Sequence, residues 1–175
     1  ALDAIDKIKD TAYSHERCTV LEVMGRNAGY IALNVAIAGG AEVVLIPEKT
    51  YDLDKDIIKP ILEGRNRGKT DYSVIVAEGV GKVIEIAAQI QEKTGIETRY
   101  TILGHLQRGG SPTVYDRVMA SRMGGKAVEV LKQGRINRVI CLKNNSLVDL
   151  DIAEALKEKK YIDMEQLDLF RVLAL

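Results

Sequence analysis

The chain has 175 residues, 46% hydrophobic and 29% charged, with 25 basic residues against 25 acidic ones. That length and composition fit one ordinary globular domain with a sizeable core. A formal net charge of zero removes any global attraction for nucleic acid or an anionic membrane, and no apolar run is long enough to span a bilayer.

Residues 1–17 form an amphipathic helix pattern, with Leu2, Ile5, Ile8 and Ala12 on one face and Asp3, Asp6, Lys7, Lys9 and Asp10 on the other. The pattern opens without a cap, an initiator methionine or a targeting signal, which points to a fragment. Residues 18–24 (CTVLEVM) read as a strand ending at Gly25-Arg26, after which Asn27 is placed to cap a helix through Ala38. Gly39-Gly40 closes that helix, residues 42–46 give a short buried strand, and Pro47 ends it. A helix over 53–64 is expected next, although Pro60 sits awkwardly within it.

Residues 65–70 (RNRGKT) are a basic turn, and 72–77 (YSVIVA) a strand ending at Glu78-Gly79. A helix over 80–94 stops at Gly95. A fourth strand over 98–103 runs into the loop 104–112 (GHLQRGGSP), where Ser111 and Pro112 read as N-cap and first position of a long helix to Leu131, interrupted by Gly124-Gly125. Strand 138–142, a turn at Asn144-Asn145, a small strand 146–148, a helix from Asp149 or Asp151 to Lys159 and a last helix 163–173 complete the chain. The alternation predicts an α/β fold, a parallel sheet with helices on both faces. Cys18 and Cys141 lie in apolar runs without metal-type spacing, as expected of buried thiols in a reducing cytoplasm.

Three loops begin where a predicted strand runs out: Met24-Gly25-Arg26, Glu78-Gly79, and Gly104 to Arg108. Ligands of open α/β sheets bind at that edge. Two arginines, a histidine, a carboxylate and free N–H groups suit a sugar phosphate, because a guanidinium grips phosphate bidentately and a carboxylate accepts from hydroxyls. Each residue also has a plainer reading: Arg26 can solvate a helix start, Glu78 can cap the next helix, and His105 can be an ordinary loop histidine. Arg17 and Arg99 fall at the opposite strand ends, either as surface residues or within reach of a neighbouring subunit. Lys9, Gly40, Glu42, Arg67 and Lys69 form a possible second anion site. Neither a Walker-type loop nor a Ser-His-Asp set is present in the sequence.

Taken in order, TAYSHER, EVMGRNAGY, AGGAE, VIVAEG, ETRYTILGHLQRGGSPTVYDR and NNSLVDLDIAEAL resemble the C-terminal half of bacterial-type ATP-dependent 6-phosphofructokinases. The resemblance implies a three-layer, Rossmann-like phosphofructokinase fold. It also implies a glycolytic enzyme that moves the γ-phosphoryl of ATP, with Mg²⁺, to the 1-hydroxyl of fructose 6-phosphate. By the same resemblance Met24, Gly25 and Glu78 hold the sugar, His105 and Arg108 its 6-phosphate, and Arg26 the charge on the transferring group. Arg17 and Arg99 reach into a neighbour's site within a homotetramer.

The resemblance further implies that Lys9, Gly40, Glu42, Arg67 and Lys69 form an effector site for ADP or phosphoenolpyruvate, with Glu42 helping to hold the nucleotide's Mg²⁺. There Lys9 departs from the family's usual arginine and Thr70-Asp71 from its lysine-histidine pair, which weakens the effector expectation because lysine cannot fork. The family's ATP-binding segments and its aspartate base precede Ala1, so this polypeptide alone is expected to bind and not to catalyse. Residues 1–108 then form the sugar and effector domain, 109–160 belong with the nucleotide domain, and 161–175 return to the sugar domain. The alternatives are a non-catalytic binding module and half of a pyrophosphate-dependent enzyme.

Overall fold

The computed structural model describes residues 1–13, 15–158 and 161–174. Strands β1 (Cys18–Val23), β2 (Val43–Leu45), β3 (Tyr72–Ala77) and β4 (Thr98–Ile102) form one parallel sheet in the order β2-β3-β1-β4. β1 and β3 pair over their whole length, from Cys18↔Tyr72 to Val23↔Ala77. Side chains alternate between the faces: Val20, Val74 and Val76 turn to one core, Leu21, Val23, Ile75 and Ala77 to the other. Both faces are covered, which is why these strands read as continuous apolar runs and not as polar-apolar alternation.

On one face lie α1 (Leu2–Tyr13), α2 (Tyr30–Gly39) and α7 (Met164–Leu173), which contribute Ile5, Leu33, Leu167 and Phe170. On the other lie a π-helical turn (Leu53–Ile58), α3 (Lys59–Asn66) and α4 (Val83–Thr94), which contribute Ile57, Ile61, Ile86 and Ile90. The expected three-layer α/β arrangement is therefore present. Cys18 is fully buried at the start of β1, and burial, with Glu42 nearby, pushes its thiol up to about 12.

Several local expectations fail for identifiable reasons. Asn27 does not cap α2. The helix starts three residues later with Gly29 at the N-cap, and Glu48, from the segment after β2, accepts from Gly29 N–H through both carboxylate oxygens at 2.9 and 3.1 Å. Glu48→Ala is therefore expected to lower stability by about 1 kcal/mol, the usual cost of a lost cap, read as a reduced urea midpoint with unchanged slope. Pro60 is accommodated where the chain changes helix type: the π turn ends at Ile58, and Pro60 falls in the first turn of α3, where proline is tolerated.

The chain divides into two compact units, Ala1–Gly109 with Ile162–Leu175, and Gly110–Tyr161. The second holds α5 (Val114–Lys132), the antiparallel hairpin of β5 (Arg138–Lys143) and β6 (Ser146–Asp151), and the short α6 (Ile152–Ala155). Asn144 and Asn145 both take positive φ, 49° and 59°, and close the hairpin as a two-residue turn. β5 thus pairs with β6 and does not extend the parallel sheet. Neither Ser111 nor Pro112 starts α5. Thr113 is the N-cap, in a reciprocal capping box with Asp116, and Gly124-Gly125 leaves the helix unbroken. Cys141, on this hairpin, is only half-buried, unlike the expectation for it.

Candidate functional site

The C-terminal ends of β1, β3 and β4 lie side by side, because Glu78 N–H continues the ladder to Val23 O at 2.9 Å and Leu103 N–H to Glu22 O at 3.1 Å. The three loops leaving these strands are tied into one hydrogen-bonded unit. Glu78 Oε1 accepts from Gly25 N–H at 3.1 Å and from Arg26 N–H. Gln107 Oε1 accepts from Met24 N–H at 3.2 Å, while Gln107 Nε2 donates to Gly104 O at 3.2 Å.

Arg26 takes a φ of 51°, left-handed backbone that costs a non-glycine residue about 1–2 kcal/mol. The Glu78 carboxylate that receives its N–H offsets that cost. Glycine is demanded on both sides of this turn: a Cβ on Gly25 would lie 2.3 Å from Ala28 O, and one on Gly79 2.3 Å from Arg26 O. The two backbone N–H donors from Arg26 and Gly25, then the guanidiniums of Arg108 and Arg26, hold the Glu78 carboxyl below the usual carboxylate range. Burial, and after it the charge on Glu78, pushes Glu22 in the opposite direction.

The side chains of Arg26, His105 and Arg108 are exposed around this unit. Residues Gly104–Arg108 form a turn of 3-10 helix. The helix that follows, α5, starts at Val114 and belongs to the other unit. Attraction for an anion at this edge comes from the two arginines.

Arg17 and Arg99 lie at the N-terminal ends of β1 and β4, with Thr19 in register with Arg99. Six strand residues at about 3.3 Å each put them on the order of 20 Å from the Arg26 turn, so they do not join that cluster within one chain. They meet instead on Glu97. Arg99 donates Nε–H and Nη2–H to Oε1 at 2.9 and 2.7 Å, and Arg17 Nε lies 3.0 Å from Oε2, an ion pair by distance whose N–H is not aligned as a hydrogen bond.

A third group gathers where α2 meets β2. Lys9 donates to Gly39 O at 2.6 Å and Gly40 O at 3.1 Å, closing the C-terminus of α2. Glu42 is 5% exposed. One of its oxygens pairs with Lys69, and the other receives the N–H and hydroxyl of Ser73, so the carboxylate fastens β2 to β3. Arg67 follows α3 and lines, with Glu42, a cleft of about 310 Å³ along β2. Among the described residues no three His, Cys, Asp or Glu groups stand together as a metal site, and Glu42 has its oxygens committed.

Gln107, Glu97 and Glu48 escaped the sequence reading, because the contacts that give them a role, to Met24, Arg17 and Gly29, span 83, 80 and 19 residues, although Glu97 also bonds Arg99 two residues on.

The phosphofructokinase family model matches residues 1–131. The chain belongs to the phosphofructokinase family. It is 54% identical over 99% of its length to the ATP-dependent 6-phosphofructokinase of Clostridium botulinum strain Hall, covering 54% of that protein. It is 53% identical to that of Bacillus cytotoxicus, again covering 54%. The chain therefore spans about half the length of the curated relatives it matches.

Among solved structures, phosphofructokinase from Saccharomyces cerevisiae superposes with a TM-score of 0.79 at 34% identity, over 89% of this chain and 22% of that one. A pyrophosphate-dependent phosphofructokinase from Nitrosospira multiformis gives 0.72 at 25% identity, over 87% and 44%. Among the described residues, no helix is long and apolar enough to cross a membrane.

Proposed function

We propose that this chain is the sugar-phosphate-binding portion of an ATP-dependent 6-phosphofructokinase, which transfers the γ-phosphoryl of ATP to the 1-hydroxyl of fructose 6-phosphate and yields fructose 1,6-bisphosphate and ADP. One observation carries the reading: residues 24–26, Glu78 and the turn at 104–108 share one sheet edge, where Glu78 and Gln107 lock the three loops together. The 54% identity to a relative named for ATP, against 25% to one named for pyrophosphate, favours ATP as donor.

In this reading Met24, Gly25 and Glu78 receive the sugar, and Glu78 stays ionised to accept from a hydroxyl through the oxygen that the loop does not use. His105 and Arg108 take the 6-phosphate. Arg26 stabilises charge on the transferring group, since catalysis of phosphoryl transfer is mostly positioning and electrostatics. Mg²⁺ supplied with the nucleotide neutralises phosphate charge. The aspartate base and the ATP-binding segments lie in a part of the enzyme outside these 175 residues.

Residues 109–160 belong with that nucleotide-binding part and 161–175 with the sugar domain. In support, α5 leaves Val114, Tyr115 and Val118 at 79, 62 and 52% exposure, an apolar surface that calls for a covering layer. Arg17 and Arg99 serve a neighbouring subunit of a homotetramer. Lys9, Gly40, Glu42, Arg67 and Lys69 form the effector site for ADP or phosphoenolpyruvate, weakened because Lys9 is spent on helix carbonyls and Lys69 on Glu42.

A coupled assay on the protein carrying both portions tests the reading: ADP release should depend on fructose 6-phosphate, and its absence would overturn the function. Arg108→Ala is expected to raise KM for fructose 6-phosphate by roughly 10- to 100-fold with little change in kcat, as for one charge-assisted phosphate contact made in ground and transition states alike. A fall in kcat at constant KM would reassign Arg108.

A further inference from the structure

Arg17 and Arg99 do not stand at the sheet's N-terminal edge as independent surface cations. Glu97 lies between them, and the backbone of all three is fixed. Glu97 O accepts from Cys18 N–H at 2.9 Å, Arg17 O accepts from Tyr72 N–H at 3.0 Å, and Arg99 is part of β4. The backbone thus places the carboxylate at the N-terminal edge of the sheet, where its contacts to both arginines orient it. The Arg99 guanidinium first, and then that of Arg17, holds its carboxyl below the usual carboxylate range.

A guanidinium carries five N–H donors. Arg99 commits Nε and Nη2 to Glu97 and keeps Nη1. Arg17 faces Glu97 only through Nε, so both of its terminal amines stay open. No other acceptor among the described residues is hydrogen-bonded to either side chain. Two guanidiniums this close repel, and a carboxylate between them removes the repulsion while leaving the pair one positive charge in excess. Such a pair, fixed before the ligand arrives, receives a phosphate without first having to order two long side chains.

We propose that Glu97 is a positioning residue that holds Arg17 and Arg99 as one anion-receiving pair for a sugar phosphate. The inference rests on the reading of those two arginines as sugar-phosphate ligands, here of a neighbouring subunit's site. Glu97 itself touches no substrate. It sets where the two forks point.

Steady-state kinetics on the protein carrying both portions separate the inference from that reading. Arg17→Ala and Arg99→Ala are each expected to raise KM for fructose 6-phosphate. Glu97→Gln, which keeps the shape and removes the charge, is expected to raise KM on the order of tenfold, the size of one lost charge-assisted hydrogen bond, with kcat nearly unchanged. The double variant Glu97→Gln with Arg99→Ala should raise KM by less than the product of the two single effects, because part of what Glu97→Gln removes is its contact with Arg99, while the loss of its contact with Arg17 remains. If the arginine variants raise KM and Glu97→Gln leaves it unchanged or lowers it, the positioning role is wrong, and a lower Tm alongside would mark Glu97 as merely structural. If the arginine variants leave KM unchanged, the underlying reading fails and the inference with it.

Discussion

Changing Arg26 to alanine is expected to lower kcat on the order of a thousandfold in the protein carrying both portions, with KM for fructose 6-phosphate nearly unchanged. The Arg26 backbone is locked in left-handed geometry by the Glu78 carboxylate, while its exposed side chain makes no hydrogen bond among the described residues. A side chain so placed has its donors available for charge that develops only during phosphoryl transfer, and an interaction made only there appears in kcat. Arg26→Lys keeps the charge without the fork and should recover only part of the rate. A raised KM with intact kcat would make Arg26 a ground-state ligand and remove it from catalysis.

Gly79→Ala should also lower the rate, by about a tenth as much as Arg26→Ala, although Gly79 carries no functional group. The added methyl would meet Arg26 O at 2.3 Å and Asn27 Cα at 3.2 Å, backbone atoms that cannot rotate away. The turn must shift as a whole, at a cost of about 1–3 kcal/mol in stability. A displacement near 1 Å of a catalytic group can cost on the order of a hundredfold in rate. Thermal melts and kcat measured together check this. The same methyl at Gly124, with nothing within 4 Å, serves as the neutral or slightly stabilising control expected inside a helix. Wild-type kcat in Gly79→Ala would show that the Arg26 turn tolerates movement.

The parallel sheet was legible because β1 and β3 are buried on both faces and two of the helices end on glycines: Gly40 and Gly95 terminate α2 and α4 in left-handed geometry, where the sequence places the breaks. What misled was local chemistry that tertiary contacts override. Asn27 and Ser111 are good caps by type, but Glu48 serves α2 from another segment and the Thr113–Asp116 box outcompetes Ser111 for α5. The turn at Asn144-Asn145 and the small strand after it were read from the sequence, but the strand's full extent and its antiparallel pairing with β5 were not, because that register is set by the turn and not by apolar periodicity. The strand-end loops were found by position alone. The residues that join them, Glu78 through its loop contacts and Gln107, declare their role only once the strands are side by side.

Both loop N–H groups rest on the same oxygen of Glu78, so the carboxylate has two separable terminals. Oε1 fixes the backbone from which the Arg26 side chain springs, and Oε2 stays open for a hydroxyl. A ligand on the second terminal draws on the same negative charge that holds the first. If Glu78 receives the sugar as proposed, sugar occupancy and the aim of the arginine become one coupled equilibrium carried by a single side chain. The depressed pKa keeps that charge in place at neutral pH, and both functions fail together only when acid protonates Glu78.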